Sequence, residues 1–214
     1  MNIIILGLPG SGKGTQSKII SEKLGLFYFE AGAFSRQLAK TDSSIREIVN
    51  SGKLIPEKKM TELVFDYLDR NVPKEKDILF DGYPRFLGQF LDLEKWLDKR
   101  DKKVDYVVFL EVDEEESIKR LSSRRVCPKC GAVYNLLTNP PHVDNICDVC
   151  DETLVQREDD KEEVVRRRFI EYKENVLPLL DFLRNKDYFV KVNGEAKIDE
   201  VTAEILERIG WSKK

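Results

Sequence analysis

Short runs of apolar residues alternate along this chain with longer segments whose apolar positions recur every three or four residues. The short runs are typical of buried strands and predict five of them, at 2–6, 26–29, 78–80, 104–112 and 188–192. The periodic segments predict amphipathic helices, among them 13–24, 61–69, 87–99 and 113–125. Because strands that alternate with helices are joined by right-handed crossovers, we expect an α/β protein with a five-stranded parallel sheet flanked by helices.

Two segments interrupt this alternation. Residues 30–55 form a polar, helical insertion between the second and third predicted strands, and residues 123–160 contain all the cysteines and few apolar residues. The second segment is too long for a plain loop and lacks the pattern of a crossover helix. Both are therefore predicted to be small lobes inserted into one core domain, which comprises residues 1–29, 56–122 and 161–214.

The composition is typical of one compact domain with a highly charged surface. Of the 214 residues, 41% are hydrophobic and 35% are charged, which is enough apolar material for a buried core. The sequence contains no apolar run near the ~20 residues that a membrane-spanning helix needs. The formal net charge of −3 argues against binding to nucleic acid or a membrane surface through bulk charge. Any anion site is therefore expected to be local.

The four cysteines form two Cys-x-x-Cys pairs, Cys127 with Cys130 and Cys147 with Cys150. The N-terminal segment lacks the pattern of a secretion signal, so we expect a cytoplasmic protein, in whose reducing environment structural disulfides are rare. Two such pairs, 16 residues apart, are typical of a tetrahedral zinc site with four thiolate ligands. A redox dithiol, unligated cysteines, or iron in place of zinc remain as alternatives.

A glycine-rich segment follows the first predicted strand and opens the first predicted helix. From Gly7 to Thr15 it reads Gly-Leu-Pro-Gly-Ser-Gly-Lys-Gly-Thr, which matches the phosphate-loop pattern G-x-x-x-x-G-K. Glycines let consecutive backbone N–H groups converge on phosphate oxygens, and the positive end of the helix dipole adds to the attraction. Lys13 would bring a point charge to the β- and γ-phosphates. The segment therefore predicts a nucleoside triphosphate site, in preference to a simple glycine-rich turn.

Three motifs, in this order along the chain, carry a resemblance to a known family. The phosphate loop has Gly14 where Ser or Thr is usual, Asp81-Gly82-Tyr83-Pro84-Arg85 follows the third predicted strand, and the four-cysteine lobe ends at Arg157-Glu158-Asp159-Asp160. In these features the chain resembles the nucleoside monophosphate kinases, and among them the bacterial adenylate kinases with a long zinc-binding lid. The resemblance implies phosphoryl transfer from MgATP to AMP, with 30–55 as the acceptor-binding lobe and 123–160 as the lid.

The resemblance also implies which residues bind ATP and the metal ions. Asp81 would orient Mg²⁺ through water, although a turn residue before Gly82 is an alternative role for it. Structural Zn²⁺ would be held by Cys127, Cys130, Cys147 and Cys150. The expected contacts with ATP are Gly10, Ser11, Gly12, Lys13, Gly14, Thr15, Arg120, Arg124, Val133, Tyr134 and Lys197.

Arginines are expected to neutralise the two bound nucleotides, which together carry about six negative charges. By the resemblance, Arg36 and Arg85 hold the phosphate of the acceptor, and Arg157 and Arg168 bridge donor and acceptor. Arg120 and Arg124 are four residues apart on one predicted helix and should therefore share a face toward the lid. Arg167 is assigned to solvent. The implied catalytic group consists of Lys13, Asp81, Arg85, Arg124, Arg157 and Arg168.

The acceptor-binding lobe departs from the family pattern at its start. Members of the family read Ser/Thr-Thr-Gly-Asp there, whereas this chain has Glu30-Ala31-Gly32-Ala33, without the threonine hydroxyl that contacts the base. The missing aspartate also removes an expected helix N-cap. Gln89 still matches the glutamine that reads adenine, because an amide both donates and accepts hydrogen bonds. The expected acceptor contacts are Ala31, Arg36, Lys53, Leu54, Ile55, Gly82, Tyr83, Pro84, Arg85, Gln89, Arg157 and Arg168.

We therefore expect a monomeric enzyme that binds ATP and AMP and neither nucleic acid nor a membrane. One alternative is another nucleoside monophosphate kinase with CMP or UMP as the acceptor, although such kinases have short lids without cysteines. A second alternative is a phosphate-loop protein whose zinc ribbon binds nucleic acid. The acidic residues of the lobe, including Asp144, Asp148 and Glu152, disfavour that alternative.

Overall fold

The computed structural model describes residues 1–211, so that positions 212–214 of the predicted core domain lie outside the described residues. The strands in this part are β1 (Ile3–Gly7), β2 (Phe27–Glu30), β3 (Ile78–Asp81), β4 (Tyr106–Glu111), β5 (Arg124–Val126), β6 (Val133–Asn135) and β7 (Phe189–Asn193). The helices are α1 (Lys13–Leu24), α2 (Ala31–Thr41), α3 (Ser43–Asn50), α4 (Glu57–Asn71), α5 (Leu87–Asp98), α6 (Glu114–Ser122), α7 (Glu162–Glu171), α8 (Leu177–Leu183) and α9 (Ile198–Arg208). Within residues 1–211, no helix is long and apolar enough to cross a membrane.

A five-stranded parallel sheet forms the centre of the molecule, with strand order β2-β3-β1-β4-β7, as the sequence predicts. In β1, Ile3 and Ile5 join the apolar cluster on one face of the sheet, and Ile4 and Leu6 join the cluster on the other. Because helices cover both faces, every residue of β1 is buried. This explains why the strands appear in the sequence as unbroken apolar runs rather than as an alternating pattern.

The carboxyl ends of three neighbouring strands meet at one edge of this sheet. Asp81 is paired in register with Ile5 of β1 and with Glu30 of β2. The residues that follow β1 form the phosphate loop, and those that follow β3 form the Asp81–Arg85 motif. Parallel topology therefore brings segments that are far apart in the sequence to the edge where such sheets bind ligands.

The acceptor-binding segment folds into α2 and α3, which pack on the core through apolar side chains. Phe34, Ala39 and Ile45 are buried in the same cluster as the sheet residues of that face. Helix α2 begins at Ala31, with Glu30 as its N-cap. Position 33 therefore lies inside the first turn, and the expectation that an aspartate there would cap the helix is wrong.

Helix α6 ends earlier than its apolar pattern predicts. The hydroxyls of Ser122 and Ser123 donate to Lys119 O at 2.9 and 2.8 Å, so side chains compete for a carbonyl at the end of the helix. The chain then enters β5, which pairs antiparallel with β6 around the first cysteine pair. Arg124 is the first residue of β5, so the prediction that Arg120 and Arg124 share a helical face is wrong.

Helix α7 returns the chain from the lid to the core, after a 3-10 turn at Glu158–Asp160. Helix α7 continues into a π-helical turn at Tyr172–Val176. Four apolar residues at helical spacing along these two segments are buried: Val165, Phe169, Tyr172 and Val176. The side chain of Arg167, which was assigned to solvent, is 42% exposed and forms an ion pair with Glu171 at 3.2 Å.

Candidate active site

The phosphate loop joins the end of β1 to the start of α1. The backbone N–H of Ser11 donates to Leu8 O at 3.0 Å, and Lys13 Nζ donates to the same carbonyl at 3.2 Å. At Gly10 the φ angle is 89° and a Cβ would lie 2.6 Å from Ser117 O, so that only glycine fits. Residues 13–16, the first turn of α1, include no acidic side chain. The positive end of this helix is therefore left for an anion.

Asp81 lies beside the loop at the end of β3. Its side chain is buried, and Tyr28 OH donates to its Oδ2 at 2.9 Å. Burial raises the pKa of Asp81 to about 6, although the nearby charge of Lys13 acts in the opposite direction. Burial lowers the pKa of Lys13 to about 8, and the charge of Asp81 partly offsets this. Each of these opposite charges thus stabilises the other in a poorly solvated place.

Three of the predicted cationic residues line one cleft, whose empty volume is ≈ 510 Å³. They are Lys13, Arg85 and Arg168. Arg85 Nε donates to Gly82 O at 2.8 Å, and Arg168 Nη1 donates to Asp159 O at 2.8 Å. These backbone contacts hold the guanidinium groups in place before any substrate is present.

Asp160, at the end of the lid, is hydrogen-bonded to two arginines of the predicted site. Arg124 Nε donates to Asp160 Oδ2 at 2.7 Å, and Arg168 Nη1 donates to Asp160 Oδ1 at 3.1 Å. The carboxylate is fully buried, so both cations are needed to compensate its desolvation. The start and the end of the lid are therefore joined to α7 through one shared carboxylate.

The clustered arginines repel one another. Burial lowers the pKa of Arg85 to about 10, and the charge of Arg168 adds to this effect. Burial likewise lowers the pKa of Arg157 to about 10, together with the charges of Arg124 and Arg36. All of them still carry a positive charge at neutral pH. A site that concentrates like charges in this way is suited to a polyanionic ligand.

The acceptor-binding lobe touches α7 across this cleft. At Gly52 the φ angle is 76°, and a Cβ would lie 2.9 Å from both Cγ1 and O of Val164. Gly52 and Leu54 line one wall of the cleft, and Glu171 and Tyr172 line the other. A side chain at position 52 would force the two walls apart, so the close approach depends on glycine.

A second pocket, with an empty volume of ≈ 270 Å³, lies between the acceptor-binding lobe and the core. Gln89 is buried in its wall, where its Oε1 accepts a hydrogen bond from Arg85 N at 2.9 Å and its Nε2 donates to Glu57 O at 3.4 Å. Five of the predicted acceptor residues are outside this lining: Arg36, Lys53, Pro84, Arg157 and Arg168. The predicted acceptor residues that line it are Ala31, Leu54, Ile55, Gly82, Tyr83, Arg85 and Gln89.

The sequence patterns did not identify several residues that line the site. Ser35, Met60 and Phe86 also line the second pocket. Glu30 Oε1 accepts a hydrogen bond from Arg36 Nη2 at 2.9 Å, which places a carboxylate next to an arginine expected to bind phosphate. The helical spacing between Ala31 and Ser35 was a signal that could have identified Ser35. The contact between Glu30 and Arg36 joins the end of β2 to α2, and helical spacing does not predict it.

The predicted contacts of the ATP base lie on three elements. Arg120 donates hydrogen bonds to Glu116 Oε1 and Gly194 O, each at 2.8 Å, although the Asp-x-x-Glu spacing of Asp113 and Glu116 is typical of a capping box. Instead, Asp113 caps α6 alone, by accepting from Glu115 N at 2.8 Å. Lys197 is the exposed N-cap residue of α9.

The two lid residues predicted to contact ATP differ in exposure. Val133 is 47% exposed, whereas the side chain of Tyr134 is buried within the lid. The hydroxyl of Tyr134 accepts a hydrogen bond from Asp148 N at 2.9 Å and lies 3.6 Å from Cys147 Sγ. The side chain of Tyr134 thus supports the cysteine cluster, which leaves its backbone for the predicted ATP contact.

The four cysteines come together in the lid, with all Sγ atoms within 4.8 Å of one another. Cys127 and Cys150 Sγ are 3.4 Å apart, and Cys130 and Cys147 Sγ are 3.5 Å apart. Thiolates placed tetrahedrally at ~2.3 Å from one zinc ion would be separated by ~3.8 Å. The cluster is therefore close to the dimensions of a four-thiolate metal site. Its donor set fits zinc, and it also fits iron.

Comparison with known proteins gives consistent matches along the whole chain. The family model for adenylate kinases matches residues 5–188. An adenylate kinase of Thermosipho africanus is 42% identical over 213 residues, which cover 98% of this chain and 99% of the relative. One from Thermotoga neapolitana is 40% identical over 217 residues, covering 99% and 98%. One from Thermococcus kodakarensis is 43% identical over 205 residues, covering 94% and 90%.

Proposed function

This chain belongs to the adenylate kinase family, and we propose which of its residues perform each part of the reaction of that family. The protein transfers a phosphoryl group reversibly between MgATP and AMP, with two ADP as products. Neither a pyrimidine acceptor nor a nucleic-acid ligand is favoured by these relatives. The observation that carries the residue assignments is the convergence of Lys13, Arg85 and Arg168 on one cleft beside Asp81.

The donor ATP binds along the phosphate loop and α1. Backbone N–H groups of Gly10 to Thr15 surround its β-phosphate, and Lys13 contacts the β- and γ-phosphates. Arg120 is already oriented by Glu116 and Gly194, which lets its planar guanidinium stack on the adenine. Val133, the backbone of Tyr134, and Lys197 complete the site of the base.

The acceptor AMP binds between α2 and the Asp81–Arg85 motif. Its base occupies the ≈ 270 Å³ pocket, in whose wall Gln89 is buried. Arg36 and Arg85 bind its phosphate, since a guanidinium can form two parallel hydrogen bonds with phosphate oxygens. This arrangement directs an oxygen of the AMP phosphate toward the cleft that contains Lys13 and Arg168.

Transfer requires that two negatively charged phosphates approach each other. An oxygen of AMP attacks the γ-phosphorus of ATP, the bond to the β-γ bridging oxygen breaks, and ADP leaves. Charge spreads over the transferred group as this happens, and Arg124, Arg157 and Arg168 stabilise it together with Lys13. The contact of Gly52 with α7 supports a closed cleft, in which water cannot compete as the acceptor.

Asp81 fits a role in binding the Mg²⁺ that accompanies ATP. Its carboxylate is buried next to the phosphate loop, and a Cβ on Gly14 would lie 3.4 Å from its Oδ2. Magnesium held there would supply positive charge to the β- and γ-phosphates. Asp81 would hold the ion through water, with Tyr28 keeping the carboxylate in its orientation.

The four cysteines would hold one structural Zn²⁺, because four thiolate ligands leave no position for a catalytic water. The convergence of four free thiols in the lid supports this assignment. Elemental analysis of protein purified under reducing conditions should give about one zinc per chain. Iron in its place, or no tightly bound metal, would contradict the assignment.

We further propose a monomer that works in the reducing cytoplasm, with residues 30–55 and 123–160 as its moving lobes.

Steady-state kinetics with both substrates varied tests the residue roles. Arg36→Ala should raise KM for AMP, and Arg120→Ala should raise KM for ATP, each with a smaller effect on the other substrate. Arg168→Lys should mainly lower kcat, because a point charge cannot replace the planar fork of a guanidinium. Arg166→Ala is the matched control, since Arg166 lies on the same helix and is 76% exposed. Equal effects of Arg36→Ala and Arg120→Ala on both KM values would contradict the assignment.

A further inference from the structure

We propose that Ser35 is a specificity-determining residue that accepts a hydrogen bond from the exocyclic amine of the acceptor base. This inference rests on the proposed position of AMP in the ≈ 270 Å³ pocket, and it identifies how that pocket selects an amine-bearing base. Ser35 would replace the hydroxyl group that is missing at Ala31.

The position of Ser35 on α2 brings its side chain to the pocket. Residues four apart on a helix share one face, and both Ala31 and Ser35 line the pocket. The hydroxyl group absent from the first turn of α2 is thus present one turn later. Met60 and Phe86 complete the same lining with apolar surface, so Ser35 is a polar group in a largely apolar wall.

The hydrogen bonds of Ser35 determine what its hydroxyl can still do. Ser35 Oγ donates to Ala31 O at 2.8 Å, and this is its one hydrogen bond within residues 1–211. A hydroxyl has one donor hydrogen and two acceptor lone pairs. Because the hydrogen is already used, the side chain presents lone pairs to a ligand, and these attract a donor such as an amine.

Gln89 is constrained in the complementary way. Its Oε1 accepts from Arg85 N, and one Nε2 hydrogen is directed to Glu57 O at 3.4 Å. Within the described chain, the second Nε2 hydrogen has no acceptor, so Gln89 can donate to a ring nitrogen. The pocket therefore offers one acceptor from Ser35 and one donor from Gln89.

This pair matches the edge of adenine, where an amine donor lies beside a ring nitrogen acceptor. Guanine and uracil present a carbonyl oxygen where adenine has its amine, and that oxygen would face the lone pairs of Ser35. Cytosine carries the same amine as adenine but has a smaller ring, so it makes less contact with Met60 and Phe86. Hydrogen bonding thus disfavours GMP and UMP, and size disfavours CMP.

The test combines a protein change with a change in the nucleotide. Ser35→Ala removes the hydroxyl, and purine riboside 5′-monophosphate lacks the amine of AMP. Ser35→Ala should raise KM for AMP by about two- to tenfold with kcat nearly unchanged, as expected for one neutral hydrogen bond. With purine riboside monophosphate, the parent protein and Ser35→Ala should have the same KM. Binding of AMP without ATP, measured by calorimetry, should give the same pattern.

Ser51→Ala is the matched control, because Ser51 lies in the same lobe and its exposed hydroxyl donates to Ile48 O at 2.9 Å. It should leave both KM values unchanged. An unchanged KM for AMP in Ser35→Ala would overturn the proposal, and so would an equal increase with both nucleotides, which would indicate a change of pocket shape. If the parent protein did not phosphorylate AMP, the proposed function itself would be contradicted. If the parent protein is active, a negative result contradicts only the role of Ser35.

Discussion

The two lobes inserted into the sheet domain are stabilised in different ways. In the acceptor-binding lobe, Phe34 and Ile45 are buried in the apolar cluster that also contains Phe80 of the sheet. In the lid, a separate small cluster is formed by Cys127, Tyr134, Cys147 and Leu154. The acceptor-binding lobe is thus an extension of the main core, whereas the lid has a centre of its own.

The lid has polar contacts and four converging thiols where the acceptor-binding lobe has apolar burial. A cluster of this size cannot offset the conformational entropy of so long a segment without additional links. Four converging thiols supply such links at its centre, and Asp160 joins Arg124 to Arg168 at its base. The comparison indicates that the lid can loosen without the core, whereas the acceptor-binding lobe cannot lose its packing alone.

The largest expected effect comes from a residue that belongs to neither lobe. Lys13→Met should lower kcat by about two to three orders of magnitude, because it removes a charge that stabilises the transition state. Hydrogen exchange within 30–55 and 123–160 should be nearly unchanged, because Lys13 lies outside both lobes. Lys18→Met, an exposed position on the same helix, serves as the control. A mutant with near-normal turnover would contradict the assignment of the phosphate loop.

Truncation of one buried side chain in each lobe tests the comparison directly. Phe34→Ala should lower the free energy of unfolding by ~3–5 kcal/mol in urea denaturation, because it leaves a cavity in the shared core. Leu154→Ala removes a buried residue of the lid cluster, and we expect it to accelerate hydrogen exchange within 123–160 with little change in the global urea midpoint. If both variants shifted the global midpoint equally, the two lobes would not differ in the way described.

Removal of one thiol tests whether the stability of the lid depends on its cysteine cluster. Cys147→Ser should reduce the bound metal well below one equivalent, lower the melting temperature by several degrees and loosen the lid. Hydrogen exchange within 30–55 should remain as in the parent protein. Val149→Ala is the control, because Val149 lies between Cys147 and Cys150 and is 71% exposed. Retention of lid protection after metal loss would show that the lid is stabilised by its apolar cluster alone.

The smallest effect concerns the carboxylate at the start of the acceptor-binding lobe. Burial is the main cause of the raised pKa of Asp81, about 6, and the charge of Glu30 raises it further. If ionised Asp81 is needed for Mg²⁺, activity should fall as the pH drops through about 6. Glu30→Gln removes the repulsion, so this acid limb should move to lower pH in a kcat profile. It should also free Arg36 and lower KM for AMP.

Glu47→Gln, an exposed change in the same lobe, should leave the pH profile unchanged. An acid limb in Glu30→Gln that coincides with that of the parent would show that Glu30 does not influence Asp81. The raised pKa of Asp81 also makes the stability of the protein depend on pH. A carboxyl whose pKa is higher in the folded state destabilises the protein above about pH 6. This destabilisation is lost as the pH falls toward 3.8, the ordinary pKa of an aspartate.

Much of the fold could be predicted because its signals are local. The strands of a parallel sheet that is covered on both faces are unbroken apolar runs, and α1 was predicted with its observed bounds, Lys13–Leu24. The phosphate loop and the cysteine pairs depend on short spacings within one segment. Their chemistry can therefore be recognised before the fold is known, although the metal itself stays a prediction.

The errors arose where a local pattern competed with a longer-range contact. The apolar pattern of α6 continues past Ser122, but serine hydroxyls end the helix and β5 finds a partner in β6, so Arg124 lies on a strand. The spacing of Asp113 and Glu116 is typical of a capping box, yet Glu116 binds Arg120 instead. Sequence spacing does not show which of two partners a side chain will contact.

The sequence by itself determined the class of fold, the site for a nucleoside triphosphate and the clustering of four cysteines, because each depends on residues close together in the chain. Only the tertiary structure decided that Glu30 lies beside Asp81, with Tyr28 bonded to the latter, since this follows from the pairing of β2 with β3 across 51 positions of sequence. It likewise brought Ser35 and Gln89 to one pocket. Strand register and lobe packing are set by the summed burial of many residues, and no short motif records that sum.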